Sequence, residues 1–168
     1  MALNTQVIGN SMPHGFAGSY ARQPDMIVGS RPAGAEITFG LALKYDAGKV
    51  VLMSDGDTAD KFVGVAAREI KTALSYLDQS TGKYAVGEAV SVFQRGAINV
   101  ICQKGTPTLG GAVYVRIAEN VSYPGAVVSG FEAEADGANT VQLTNCQWAG
   151  AADANKVAEL RILTMQNA

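Results

Sequence analysis

The sequence contains little of the chemistry that enzymes and metal sites use. It has one histidine, His14, and two cysteines, Cys102 and Cys146, which form no Cys-x-x-Cys pair. A metal site needs several ligands at matched spacing, and general-base catalysis needs a side chain held beside a partner. We therefore predict no enzyme activity, no metal and no cofactor, with His14 at the surface or in an interface. We expect two buried or half-buried thiols, although a disulfide between them stays open.

Charge is also sparse and is not concentrated anywhere. The 168 residues include 13 Lys and Arg against 15 Asp and Glu, which gives a formal net charge of -2. The basic residues are scattered singly, whereas nucleic-acid binding calls for a basic patch. No apolar run reaches the ~18 residues that suggest a membrane helix, and residues 1–6 lack the features of a secretory signal. We therefore expect neither a nucleic-acid nor a membrane partner, and a protein that acts where it is made or in an assembly put together there.

Two loops match ligand-binding motifs only in part. Asp55, Asp57 and Asp60 partly fit a calcium loop, but Ala59 occupies the third ligand position and no glutamate follows at the expected distance. We expect a solvated acidic turn there. The glycine-rich stretch 105–111 lacks the Lys-Ser/Thr pair of a phosphate loop. We expect a wide turn that leads into a strand.

From residue 36 onward, short apolar runs alternate with polar residues and are separated by turn signals every ten residues or so. This pattern predicts an all-β fold, a small β-barrel or sandwich in which a jelly-roll arrangement is possible. Residues 68–77 fit either a helix or a strand. The clearest prediction is a hairpin over 89–103 that turns at Arg95-Gly96. Further strands are predicted at 113–117, 125–131, 140–143 and 158–164.

The first 35 residues have a different texture. Glycines and prolines interrupt them repeatedly, and single apolar, aromatic and basic residues stand between these breakers. Such a segment has few internal partners, so we predict an extended N-terminal arm over residues 1–35 that lies on a partner, and a β body over residues 36–168. Aromatic and arginine residues commonly dominate interfaces. The predicted partner or subunit contacts are Phe16, Tyr20, Arg22, Met26 and Arg31, although Phe16 and Tyr20 could instead fold back over their own body.

Several segments taken together resemble the structural cement proteins of tailed bacteriophages. They are Gly15–Gly18, Ala21–Asp25, Arg31–Gly34, Phe62–Ala66, Gly87–Val90, Gly110–Arg116 and Trp148–Asp153. The resemblance spans nearly the whole chain. It implies a β-rich decoration protein bound outside an icosahedral head, at junctions between hexamers and pentamers of the major capsid protein. It further implies a protein of the virion surface, assembled in the host cytoplasm, that stabilises the expanded head and does not touch DNA.

Two questions stay open at this level. Self-association is expected, because symmetric oligomers gain avidity, but a dimer and a trimer fit equally well. The alternative function is a virion surface module that binds host glycans, with Tyr123 and Trp148 stacking on sugars. We expect Trp148 instead to pack over the end of the β body, because tryptophan is highly buried on average.

Overall fold

A computed structural model describes residues 13–69 and 82–165 of the protein. In these ranges the chain is built from strands, with two short 3-10 turns at Ala59–Lys61 and Gly137–Asn139. The strands are β1 Tyr20–Pro32, β2 Ile37–Thr38, β3 Ala42–Asp46, β4 Lys49–Leu52, β5 Gly64–Ala66, β6 Lys83–Tyr84, β7 Ala89–Ile101, β8 Val113–Arg116, β9 Phe131–Glu132, β10 Thr140–Leu143, β11 Cys146–Trp148 and β12 Val157–Ile162. The all-β prediction is confirmed. Most of the ambiguous segment 68–77, and residues 1–6, lie outside the described ranges.

The strands form several sheets in a sandwich-like arrangement, and the described residues form no closed barrel. The main sheet has the order β11-β12-β7-β5-β3-β4, and β1 pairs with the other side of β7. A second sheet has the order β10-β8-β9, and β2 pairs with β6. The central strand is β7: its first half pairs with β5, its second half pairs with β12, and β1 runs antiparallel along its opposite side.

The predicted hairpin over 89–103 is wrong, because β7 passes through Gly96 as one 13-residue strand. Gly96 has a φ of +111°, which glycine adopts without strain. A Cβ atom built there would lie 2.3 Å from the backbone oxygen of Asp25 on β1. Gly96 therefore permits a close approach of two strands rather than a chain reversal. Both halves of β7 are paired on both sides, which leaves no free edge for a hairpin partner.

The other strand predictions have mixed outcomes. The strands predicted near 113–117, 140–143 and 158–164 are confirmed, and the glycine-rich stretch 105–111 is a loop that leads into β8. The strand predicted over 125–131 is wrong: residues 125–130 form turns, and pairing begins only at Phe131. Gly125 has a φ of +97°, a conformation that is incompatible with an extended strand.

The core confirms the alternating pattern read from the sequence. On β7, Ile98 and Val100 point inward into the larger of two hydrophobic clusters, together with Cys102 just beyond the strand. Both cysteines are free and buried, as expected, so the disulfide alternative is wrong. Burial raises the pKa of the Cys146 thiol and is also the main cause of the raised pKa of Cys102.

A buried ionic network connects β8 and β9 of the three-stranded sheet, and no sequence pattern predicts it. Arg116 on β8 and Glu132 on β9 are both fully buried, and the guanidinium donates to both carboxylate oxygens at 2.6 and 3.1 Å. Arg116 also donates to Asp136 at 2.8 Å, and Asn120 donates to the same Asp136 oxygen at 2.8 Å. These hydrogen bonds, the one from Asn120 first, lower the pKa of Asp136. The network therefore ties the loops after β8 and β9 to the sheet.

Candidate interaction surface

Strand β1 lies at an edge of the main sheet, within the segment predicted as the arm. It pairs with β7 along one side. Among the described residues, its other side has one strand contact, a bridge between Ala33, just past the strand, and Val50. An edge strand presents unpaired backbone N–H and C=O groups that a partner chain can use. Ile27 and Val28 are also 38% and 37% exposed. The outer side of β1 is therefore the candidate interaction surface.

A large bulge interrupts β1 in its middle. Arg22 pairs with Ala97 and Ile27 pairs with Arg95, so five steps along β1 match two steps along β7. Bulges of this kind bend a strand and redirect its side chains. Residues 23–26 consequently have no register partner on β7, although Asp25 and Met26 lie close to Gly96 and Met26 is partly buried against the larger hydrophobic cluster.

Three of the five predicted contact residues are bonded to or packed on their own chain. The Tyr20 hydroxyl donates to Glu69 at 2.5 Å, and its ring packs 5.8 Å from that of Phe93, centroid to centroid. Burial, reinforced by Glu69, raises the pKa of Tyr20. Arg22 Nε donates to both carboxylate oxygens of Glu159, at 2.8 and 2.9 Å. With Met26, these residues fix β1 on the body.

The other two predicted contacts are exposed. Phe16 is 66% exposed, and the Arg68 guanidinium lies 4.9 Å from the centre of its ring. Arg31 is exposed on β1 and donates to the backbone oxygen of Ser30 at 2.9 Å. Tyr20 thus packs back on its own body, as the alternative allowed, whereas Phe16 contacts the body through Arg68 but keeps most of its surface exposed. The contact role of all five residues and the boundary at residue 35 stay predictions.

Comparison with known proteins identifies the family to which this chain belongs. The family model of the structural cement protein (E217 gp24/Pam3 gp6) matches residues 3–163, nearly the whole chain. The chain belongs to this phage cement protein family. The resemblance seen in the sequence is thereby confirmed, and with it a structural role in the phage capsid. A search of curated proteins found no match.

A solved structure supports the fold of the cement protein. A chain from "The capsid of Myoviridae Phage XM1" matches with a TM-score of 0.67 and 16% sequence identity. The match covers 99% of this chain and 100% of the other. At that identity the likeness establishes a shared fold.

The structure contradicts the main basis of the glycan-binding alternative, which was an accessible Trp148 ring. Trp148 of the cement protein is fully buried in the larger hydrophobic cluster, so its ring cannot stack on a sugar. Tyr123 is half-buried, and its hydroxyl donates to the backbone oxygen of Gln103 at 2.6 Å. The suggestion that Trp148 packs on the body was the better one.

The sites considered for chemistry are occupied by contacts within the chain. The His14 backbone N–H donates to Asp153 at 2.9 Å, and its ring Nε2 lies 3.2 Å from the backbone oxygen of Ala151. Asp57 accepts hydrogen bonds from Lys44 at 2.5 Å and from the Ser54 backbone at 2.7 Å. Across residues 13–69 and 82–165, no three His, Cys, Asp or Glu side chains are grouped to hold a metal. No helix in those ranges is long and apolar enough to cross a membrane.

The structure also gathers charged residues that sequence reasoning did not connect. Glu159 and Arg161 belong to β12, and Arg22 lies in the predicted arm. The register of β1, β7 and β12 brings all three side chains to one region, where Glu159 also lies 3.5 Å from Arg161. The alternation within β12 was visible in the sequence, but the pairing of β1 and β12 on opposite sides of β7 was not.

Proposed function

We propose that this cement protein binds the outer surface of the phage head at junctions between capsomers of the major capsid protein, and that it stabilises the expanded capsid there. The single observation that carries the proposal is the outer side of β1, an edge strand on which Arg31 is exposed, with Phe16 exposed shortly before the strand begins. A partner strand or loop can dock along such an edge through backbone hydrogen bonds and neighbouring side chains. The family membership supports the capsid as the place of action.

The proposal requires binding and no catalysis. A specific interface of standard size buries ~1,200–2,000 Å² in total, and several copies acting together add avidity. Self-association as a dimer or trimer would hold several capsid subunits at once. The basic residues are few and form no run in the sequence, which supports contact with protein rather than with DNA. Assembly would then take place in the host cytoplasm, after head expansion.

The direct test is to add the purified chain to expanded heads that lack decoration. We expect stoichiometric binding at one type of symmetry position, visible by electron cryomicroscopy as added density outside the capsid shell. Decorated heads should also withstand heating or chelating buffer better than bare heads. Native mass spectrometry of the purified chain separates dimer from trimer. Binding to unexpanded heads alone, or density inside the shell, would contradict the proposal.

Variants of the exposed contact residues test the surface itself. The double variant Phe16→Ala/Arg31→Gln should weaken binding to heads at least about tenfold, because truncating an interface anchor typically costs more than ~1 kcal/mol. The matched control is Leu109→Ala/Val121→Ala, which alters two side chains that are 79% and 98% exposed outside the arm. Both variants should unfold at the wild-type temperature. Equal binding by the two variants would show that the arm surface is not the contact.

A further inference from the structure

A cleft opens beside the bulge of β1, where three strands meet. It has a volume of about 480 Å³ and is lined on β1 by Arg22 and Pro24, on β7 by Arg95 and Ala97, and on and beyond β12 by Arg161 and Leu163. Three arginines from three different strands therefore surround one opening. We call this feature the arginine cleft.

The strand register explains why the cleft is open. Arg22 and Arg161 both pair with Ala97, from opposite sides, so the three residues form one row across β1, β7 and β12. Side chains in such a row share one face of the sheet. Because Ala97 carries only a methyl group, the space between the two long arginine side chains stays unfilled.

The arginines outnumber the carboxylates around them. Glu159 accepts from Arg22 at 2.8 Å and lies 3.5 Å from Arg161, and Asp25 lies 3.3 Å from Arg95. Three positive charges thus meet two negative ones, a local excess of one in a protein whose net charge is -2. A guanidinium has about five N–H donors, and these ion pairs use one nitrogen of each arginine. Arg95 Nε has no hydrogen-bond partner among the described residues.

We propose that the arginine cleft binds a carboxylate-bearing segment of the capsid subunit on which the cement protein sits; this inference rests on the proposed function. Guanidinium groups bind carboxylates in a planar, two-pronged geometry that suits an acidic side chain entering between Arg95 and Arg161. The exposed Leu163 and Pro24 at the rim suit a peptide, whose neighbouring side chains are partly apolar. A local excess of one positive charge is too small to favour binding of a nucleic-acid phosphate backbone.

The test compares two variants that lose the same two positive charges. Arg95→Gln/Arg161→Gln alters the cleft, whereas Lys49→Gln/Lys61→Gln removes two exposed lysines outside it. We expect the cleft variant to bind expanded heads about tenfold or more weakly than wild type, and the lysine variant to bind within about twofold. The single variant Arg161→Gln, which loses only a long ion pair, should fall between them. It serves as the second measurement if the double variant does not fold.

Salt provides an independent readout on the unaltered protein. Raising NaCl from about 0.05 to about 0.3 M should weaken wild-type binding, because salt screens the ion pairs between the cleft arginines and the capsid carboxylates. The cleft variant lacks two of these arginines, so its binding should depend less on salt. Wild-type binding with no difference between the cleft and lysine variants would overturn this inference and leave the proposed function standing. A wild-type chain that binds no heads would overturn both. Binding of a single-stranded DNA oligonucleotide that is lost in the cleft variant would assign the cleft to phosphate instead.

Discussion

The replacement Arg116→Met should destabilise the cement protein more than an ordinary substitution does. Arg116 is fully buried and contacts Glu132 at 2.6 and 3.1 Å and Asp136 at 2.8 Å. Methionine fills much of the same volume but supplies no charge and no donor. Glu132, also fully buried, would then keep its negative charge without its counter-ion or take up a proton.

The expected loss of stability follows from the buried Glu132 carboxylate that Arg116→Met leaves without its counter-ion. Removing one partner of a buried ion pair typically costs about 3–5 kcal/mol, because the other charge stays desolvated. In a protein of this size each kcal/mol lowers the melting temperature by about 2–4 °C, so the midpoint should fall by about 6–20 °C. Asp136 contributes less to the loss, since it keeps its hydrogen bonds to Asn120 and Lys104.

Two further variants isolate the cause. Arg116→Met/Glu132→Leu removes both buried charges and should be clearly more stable than Arg116→Met alone, since an apolar replacement of a buried pair is often close to neutral. Lys104→Met removes a partly exposed partner 3.3 Å from Asp136 and should cost less than about 1 kcal/mol.

Urea unfolding measures all three variants against wild type. The single tryptophan, Trp148, is fully buried, so its fluorescence reports the loss of the core. The free energy of unfolding comes from the midpoint and the slope. An Arg116→Met variant within about 1 kcal/mol of wild type would refute the reasoning, as would a double variant no more stable than the single one.

Three other outcomes are expected from the same structure. Gly96→Ala should cost about 2 kcal/mol or more in urea unfolding, because its Cβ would lie 2.3 Å from the Asp25 oxygen, whereas Gly48→Ala, in open space at a φ of +79°, should cost only about 1–2 kcal/mol. An Ellman assay should detect no thiol in the native protein and two in urea, because both thiols are buried; fast native reaction would contradict the packing. Hydrogen bonds, first of all from Asn120, lower the pKa of Asp136, so its contribution to stability is present above the ordinary pKa of about 3.9 and is lost as the pH falls through the lowered value. Asp136→Asn should therefore lose less stability than wild type between about pH 4 and pH 2, as followed by fluorescence.

The edge position of β1 changes how the arm should be tested. Deleting residues 1–35 would remove the strand that covers one side of β7, together with the Arg22–Glu159 pair and the packing of Tyr20 on Phe93. Loss of capsid binding in such a deletion could then follow from damage to the sheet. Point variants at exposed positions, such as Phe16, separate contact from folding.

The hairpin over 89–103 shows where local patterns mislead. Arg95-Gly96 between two apolar runs is a reasonable turn signal, since glycine accepts a positive φ in turns and in bulges alike. Whether a turn or a bulge forms depends on which strands pair with the segment on either side. Here β1, β5 and β12 pair with β7 on both sides, and their residues are distant in sequence from Gly96. No window of sequence around residue 96 contains that information.

The candidate site was predictable only in part. Composition and interface preferences singled out Phe16 and Arg31, and both are exposed. Arg95 and Arg161 gave no comparable signal, because isolated arginines at strand positions are common on protein surfaces. Their convergence with Arg22 arises from the register across three strands.

The sequence by itself determined the all-β class and the family, because alternation, turn residues and segment order are local properties of the chain. Tertiary structure alone decided that the second half of the predicted arm is an edge strand, that Arg116 and Glu132 pair in the interior, and that three arginines surround one cleft. The physical reason is that strand pairing joins residues far apart in sequence. A side chain's partner across a sheet is set by register, and register is fixed only when the whole core packs.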